Sequence, residues 1–269
     1  MNTPALLVEK EGGVATFTLN RPQRRNALNA ESWSAILDEL RSAEADPSVH
    51  VVVIRSDGPV FSAGNDIKES ESFATPADAK RYFLDIMVPA LEAMARSPLP
   101  ILAAVQGPAF GGGFELLQFC DVVIAAPEAS FQLPETRLGL WATVFVGATH
   151  SLGVRRGALE LALTAEPYSA AEAAAGGFIT RVAAPGALDV EVRALAEGLL
   201  GKGRDALARS KRYANRSLIS LGLVAVRDAL EEHCNETIFS VDGVEGVAAF
   251  IEKREPVFAD RARTAGAGE

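Results

Sequence analysis

Short apolar runs of strand type alternate with longer helical patterns from the start of the chain to about Ala187, and no strand pattern follows. That alternation confines the chain to α/β folds whose strands are covered by helices. Leu6, Leu7 and Val8 lead into Gly12-Gly13. Ala15, Phe17 and Leu19 then alternate with Val14, Thr16 and Thr18, so residues 5–20 read as a hairpin. Asn29 is placed to cap a helix, with Glu31 in its first turn and Trp33, Ile36, Leu37 and Leu40 at helical spacing. Residues 49–54 are a β-branched run that predicts a strand buried on both faces. The unit recurs as a helix over 77–95, a strand over 100–105, a helix over 111–120 and a strand over 122–125. Later segments, over 188–200, 205–217, 223–239 and 244–253, are helical only and read as a separate all-α piece. The Ala-, Gly- and Arg-rich tail over 262–269 is expected to fray.

With 269 residues, 48% hydrophobic and 23% charged, the chain suits one large domain, or one with an appendage, whose core needs no disulfide or metal staple. Asp and Glu outnumber Lys and Arg by 35 to 26, a formal charge of −9 that argues against nucleic-acid binding. An anionic ligand must be held by a local basic group or by backbone N–H groups. Cys120 and Cys234 form no CxxC pair and no metal-ligand spacing with His50, His150 or His233, so reduced thiols and no metal site are expected. The three histidines sit in unrelated segments, and a lone histidine is more often structural than catalytic. No basic-flanked apolar leader and no run near 18 apolar residues is present, so a cytoplasmic protein without a membrane segment is expected. Dinucleotide and phosphate-loop fingerprints, the nucleophile elbow and the HExxH zinc motif are all missing.

Three segments carry candidate chemistry. In PILAAVQGPAFGGGFELLQFC (100–120), an apolar strand runs through Gly107-Pro108 into three glycines that open a helix. The first N–H groups of such a helix have no internal partner and sit at its positive end, where they suit a developing negative charge. Glu115 falls in that first turn. The segment alone equally fits glycines for packing and a glutamate placed for the helix dipole. In the small-residue loop over 59–68, a ligand can approach the main chain beside Lys68. Glu135 follows a proline after the strand-like stretch at Phe131, 20 residues beyond Glu115. Two carboxyls at neighbouring element ends push their pKa values apart, giving one acid and one base. Two ordinary surface glutamates is the alternative.

Taken together, these segments resemble the crotonase family, the enoyl-CoA hydratase/isomerase group. NRPQRRNALN (20–29), FSAGNDIKE (61–69), GPAFGGGFELLQFCD (107–121) and SFQLPETRLGL (130–140) stand in the family's order and spacing. FIEKREPVF (250–258) resembles its end motif, so the likeness spans residues 6–258. The resemblance implies an α/β crotonase-like spiral of ββα units over 1–195 that holds the active site. It also implies a C-terminal α-helical trimerisation region over 196–269, and a homotrimer or a hexamer built as a dimer of trimers. The implied substrate is an acyl-CoA thioester, with CoA part of the substrate and no separate cofactor. Its carbonyl oxygen would be held by the backbone N–H groups of Asn65 and Gly112. Asn65 stands where alanine is commoner, a feature shared with some isomerases of the family.

Hydratases of the family carry two glutamates at positions matching Glu115 and Glu135. By that likeness Glu115 deprotonates water for attack at C3 of a 2-enoyl-CoA, and Glu135 delivers a proton to C2. Arg24, Ala63, Lys68, Phe250 and Lys253 match CoA contacts, the last two reaching a neighbouring subunit's CoA. The chain departs from the family after PETRLGL, where a Gly-rich stretch is replaced by the bulkier residues 141–152. Trp141 and Phe145 are therefore expected in the acyl pocket. The alternatives are a double-bond isomerase using Glu135 alone, a hydrolase or decarboxylase of a specialised acyl-CoA, or a non-catalytic binding member.

Overall fold

Gly12 and Gly13, both with positive φ (56° and 87°), turn the first strand back along the second, as the paired glycines predict. The computed structural model describes residues 3–149 and 153–259; the tail over 262–269, His150 and the end of the 141–152 stretch lie outside the described residues. Nine strands run through them: β1 (Leu6–Glu11), β2 (Val14–Leu19), β3 (Val51–Ser56), β4 (Ile101–Val105), β5 (Ala109–Phe110), β6 (Val122–Ala125), β7 (Ser130–Gln132), β8 (Tyr168–Ser169) and β9 (Arg181–Val182). Six form one sheet in the order β1-β2-β3-β4-β6-β9, antiparallel at the hairpin and parallel elsewhere. The other three form a small sheet in the order β5-β7-β8.

Side chains of β3 and β4 alternate between two apolar layers, because successive Cβ atoms point to opposite faces. Val52, Ile54, Ile101 and Ala103 join Phe17, Trp33 and Leu91 in the larger core beneath helices Ala30–Ala45 and Val88–Arg96. Val51, Val53, Leu102 and Ala104 meet Val192 and Ala196 of helix Leu188–Leu200 on the other face. Asn29 caps helix Ala30–Ala45 by accepting from the Ser32 N–H.

The chain repeatedly leaves the large sheet, adds a short strand to the small one and turns into a helix. After β4 it crosses at Gly107, where a Cβ would sit 2.0 Å from the Pro59 carbonyl oxygen, and enters β5 and then helix Gly112–Leu117. After β6 it enters β7 and then the helical turn Pro134–Leu138. This is the expected spiral of ββα units, and the turn from the small sheet into each helix carries one candidate glutamate.

The helix over 76–96 is continuous except for a wide turn at Phe83–Met87. Pro89 has no N–H, and its ring cannot sit against the carbonyl four residues back, so the wider turn absorbs the misfit. Among the C-terminal helices, Arg204–Ala214 is pinned by Lys211, whose Nζ lies 2.7 Å from Asp121 Oδ2 and 2.9 Å from Leu99 O. Helix Leu223–Glu232 packs on helix Thr143–Ala148, where Gly147 lets Val226 approach. Among the described residues no helix is long and apolar enough to cross a membrane.

Candidate active site

Each glycine of the triplet answers a different close approach. Gly111 adopts φ 47°, ψ −128°, and a Cβ there would lie 2.8 Å from Glu135 Oε1. A Cβ on Gly112 would lie 2.8 Å from Asn65 Cγ, and one on Gly113 2.5 Å from Ser62 Cβ. Across from them, Gly64 (φ 99°) brings the 61–69 loop against the Gly112 nitrogen. Bridges Leu28↔Asn65 and Ser62↔Ala109 fix the loop on both sides. The NRPQRRNALN segment is its foundation. Buried Asn26 donates to the carbonyls of Asp57 and Val60 and accepts from the Ser62 hydroxyl through its own carbonyl. Arg21 pairs with Asp66 at 2.8 Å. Among the described residues, neither the Asn65 nor the Gly112 backbone N–H has a protein acceptor. The structure therefore brings together the two donors expected of the anion-stabilising site.

Glu115 and Glu135 line the same cavity of about 370 Å³. Glu115 Oε1 accepts from the N–H groups of Val144 and Phe145, each at 3.0 Å. Burial raises its pKa, and those two donors oppose the rise by stabilising the anion. Glu135 is raised too, first by burial and then by the charge of Glu115. Its Oε2 is buried and has no hydrogen-bond partner among the described residues. The two carboxyls titrate as a pair, and backbone donors hold the charge on Glu115. An arrangement of this kind, with one proton between two carboxyls, suits one base and one acid.

The amide of Asn65 is oriented from behind. The Trp33 indole, which can only donate, gives its N–H to Asn65 Oδ1 at 3.1 Å. The Tyr82 hydroxyl lies 3.2 Å from the same oxygen and donates to Leu28 O at 2.8 Å. Sequence reading missed this clamp. Trp33 and Tyr82 look like ordinary core aromatics, and only the fold brings them to residue 65.

The remaining expected contacts divide. Ala63 lines the cavity, but its N–H is taken by Arg25 O, which leaves its carbonyl for a ligand. Lys68 and Arg24 are exposed, and neither side chain forms an ion pair among the described residues. Phe250 is exposed and sits in a separate groove with Arg137 and Pro256; Lys253, at the helix end beside it, does not line the cavity of Glu115 and Glu135 either. Trp141 does line it, with its indole N–H donating to Thr237 Oγ1 at 3.2 Å.

Phe145, expected in an acyl pocket, does not line this cavity. Its side chain is fully buried against Phe114 (4.9 Å) and Phe178 (5.6 Å), and it serves the site through its backbone N–H. The bulky stretch after Leu140 forms helix Thr143–Ala148, which turns this ring into the core and puts Thr143 on the cavity. His233 is another lining residue not picked from sequence. Burial lowers its pKa to about 4, so the imidazole is neutral. Its one sequence signal is a polar residue on an otherwise apolar helix face.

The family model for enoyl-CoA hydratase/isomerase matches residues 9–261. The probable enoyl-CoA hydratase echA8 of Mycobacterium leprae (strain TN) is 36% identical over 97% of this chain and 100% of its own length. An enoyl-CoA hydratase/isomerase from Xanthobacter autotrophicus Py2 superposes with a TM-score of 0.83 at 32% identity, covering 98% of this chain and 96% of that one. A carnitinyl-CoA hydratase from Mycobacterium avium gives 0.78 at 33% identity, covering 97% of this chain and 100% of that one.

Proposed function

The chain belongs to the enoyl-CoA hydratase/isomerase family, and from that premise we propose that it adds water across the C2–C3 double bond of a 2-enoyl-CoA thioester. One observation carries the reading. A carboxyl that accepts from two backbone donors and a second whose Oε2 has no partner among the described residues share a cavity with two backbone N–H groups that meet no acceptor among those residues. The Asn65 and Gly112 N–H groups receive the thioester oxygen and stabilise the enolate charge. Glu115 removes a proton from water as the oxygen bonds to C3, and Glu135 gives its proton to C2. Passage of one proton from Glu115 to Glu135 restores the starting state. CoA enters and leaves as part of the substrate, and no separate cofactor takes part.

Two supports extend the reading. Arg24 and Lys68, exposed cations that form no ion pair among the described residues, suit the phosphates of CoA. Exposed Val241, Phe250 and Val257 supply an apolar surface for a homotrimer or a hexamer in which Phe250 and Lys253 face a neighbour's CoA. Light scattering tests the assembly, and a monodisperse monomer excludes it.

Loss of the conjugated enoyl-thioester absorbance of crotonyl-CoA tests the reaction. Rapid loss in the wild type that both Glu115→Gln and Glu135→Gln abolish supports hydration. Turnover of 3-enoyl-CoA that needs Glu135 but not Glu115 would instead establish the isomerase.

A further inference from the structure

His233 opens the wide turn His233–Thr237 that continues helix Leu223–Glu232, and its imidazole lines the catalytic cavity. Wide turns of this kind often occur at functional sites. The ring is 5% exposed and meets Phe83 edge-on at 5.5 Å. Nδ1 is fully buried without a hydrogen-bond partner, and among the described residues neither ring nitrogen bonds to protein. Burial lowers its pKa to about 4, so the ring is neutral. Phe83 packs on the ring, and Phe73, Ile238 and Phe239 are among the apolar residues of the same cavity. A histidine that only filled space would be expected to pair at least one nitrogen, because buried polar groups are seldom left unbonded.

The lining narrows the partner. No Lys or Arg lines the cavity, whereas Glu71, Glu115 and Glu135 do, so an acyl chain ending in a carboxylate is disfavoured. A neutral imidazole offers one donor and one acceptor. A hydroxyl both donates and accepts, so it can serve a ring nitrogen that faces the cavity in either tautomer, while an alkyl chain cannot.

We propose that His233 is a specificity-determining residue that hydrogen-bonds a hydroxyl on the acyl chain, so that hydroxylated 2-enoyl-CoA thioesters are preferred over plain alkyl ones. The proposal rests on the acyl-CoA hydratase reading and deepens it by naming the acyl class.

The experiment compares kcat/KM for 2-hexenoyl-CoA with that for its 4-, 5- and 6-hydroxy derivatives, in the wild type, His233→Phe and His233→Gln. Calorimetry in parallel compares hexanoyl-CoA with the matching hydroxyhexanoyl-CoA, which needs no turnover. At least one hydroxylated substrate is expected to be preferred by about tenfold or more in the wild type, chiefly through KM. H233F brings that ratio to about one, and H233Q, which keeps a donor and an acceptor, retains part of it. Absence of any hydroxyl preference in the wild type overturns the proposal, even where a variant fails to fold. So does a preference that H233F leaves intact. A calorimetric preference that depends on His233, in a protein that hydrates none of these thioesters, would remove the hydratase reading and leave the His233 assignment standing.

Discussion

The Phe145 N–H donates to Glu115 Oε1 at 3.0 Å, so the carboxylate proposed as the base also caps the helix that carries Phe145. Val144 donates to the same oxygen, and the formal cap residue, Ala142, has no acceptor side chain. Glu115→Gln keeps an oxygen for both donors but cannot take a proton. Hydration should fall by roughly 10²–10⁴-fold while the fold is retained. Glu115→Ala also strands two buried N–H groups and should lose roughly 1–3 kcal/mol of stability beyond the glutamine variant. Urea unfolding of both variants beside the rate assay checks this. Equal stability would remove the capping role.

The coupled glutamates should give a bell-shaped pH profile. Activity needs Glu115 ionised and Glu135 protonated. It falls at low pH as the pair takes a second proton and at high pH as the pair loses its last. Stability follows the same groups. Both pKa values are raised by burial, so the folded protein binds more protons than the unfolded chain above the ordinary glutamate range. The stability they contribute is full below that range and is lost as pH rises through the raised values. Glu135→Gln carries no such charge, and its melting temperature should exceed that of the wild type increasingly as pH rises. Parallel melting curves from acid to mildly alkaline pH would refute this.

Gly112 donates through the backbone, yet its neighbour makes it testable. A Cβ there would lie 2.8 Å from the Asn65 amide, which Trp33 holds in place. Gly112→Ala should push the two anion-binding N–H groups apart and lower kcat/KM by about 10²-fold or more. Asn65→Ala keeps its own N–H and removes the obstructing amide. The double variant should therefore recover part of the loss, and a double-mutant cycle in kcat/KM measures it. Strict additivity would show that the Asn65 side chain is not what excludes a Cβ.

The hairpin, β3, β4 and helix Ala30–Ala45 were legible because their apolar periods are strong and their ends carry turn or cap residues. The small sheet was harder to read, because strands of two or three residues have no period. The helix expected over 111–120 ends at Leu117, where the chain turns to bring Asp121 under the Ile101 N–H. Glu115 and Glu135 stood out beside a glycine triplet and a proline, but only the resemblance of the segments taken together paired them. His233, Thr143 and the Trp33–Tyr82 clamp were not legible, because they reach the cavity by tertiary packing from remote segments. Phe145 was singled out for the size of its side chain, whereas the structure buries that ring and turns its N–H to Glu115.

Gly246 packs against the turn that carries Glu135. Helix Val241–Glu252 lies so close to the turn Pro134–Leu138 that a Cβ on Gly246 would sit 2.1 Å from Leu138 O, and one on Gly139 2.3 Å from Asp242 O. These obstacles are backbone atoms and cannot swing aside, so Gly246→Ala must move the helix away from the turn that carries Glu135. The same helix lines the cavity through Val244, Val247 and Ile251, so the move also opens the site to water. We expect a fall in kcat of about 10²-fold, because misplacing a catalytic group by about 1 Å has that effect. The stability cost should be about 1–3 kcal/mol, typical of overpacking. Gly198→Ala is the control, since its Cβ would meet nothing within 4 Å on an exposed helix face. It should leave kcat unchanged and raise stability by about 0.5–1 kcal/mol. Wild-type kcat in Gly246→Ala would mean that the turn holds Glu135 without the helix.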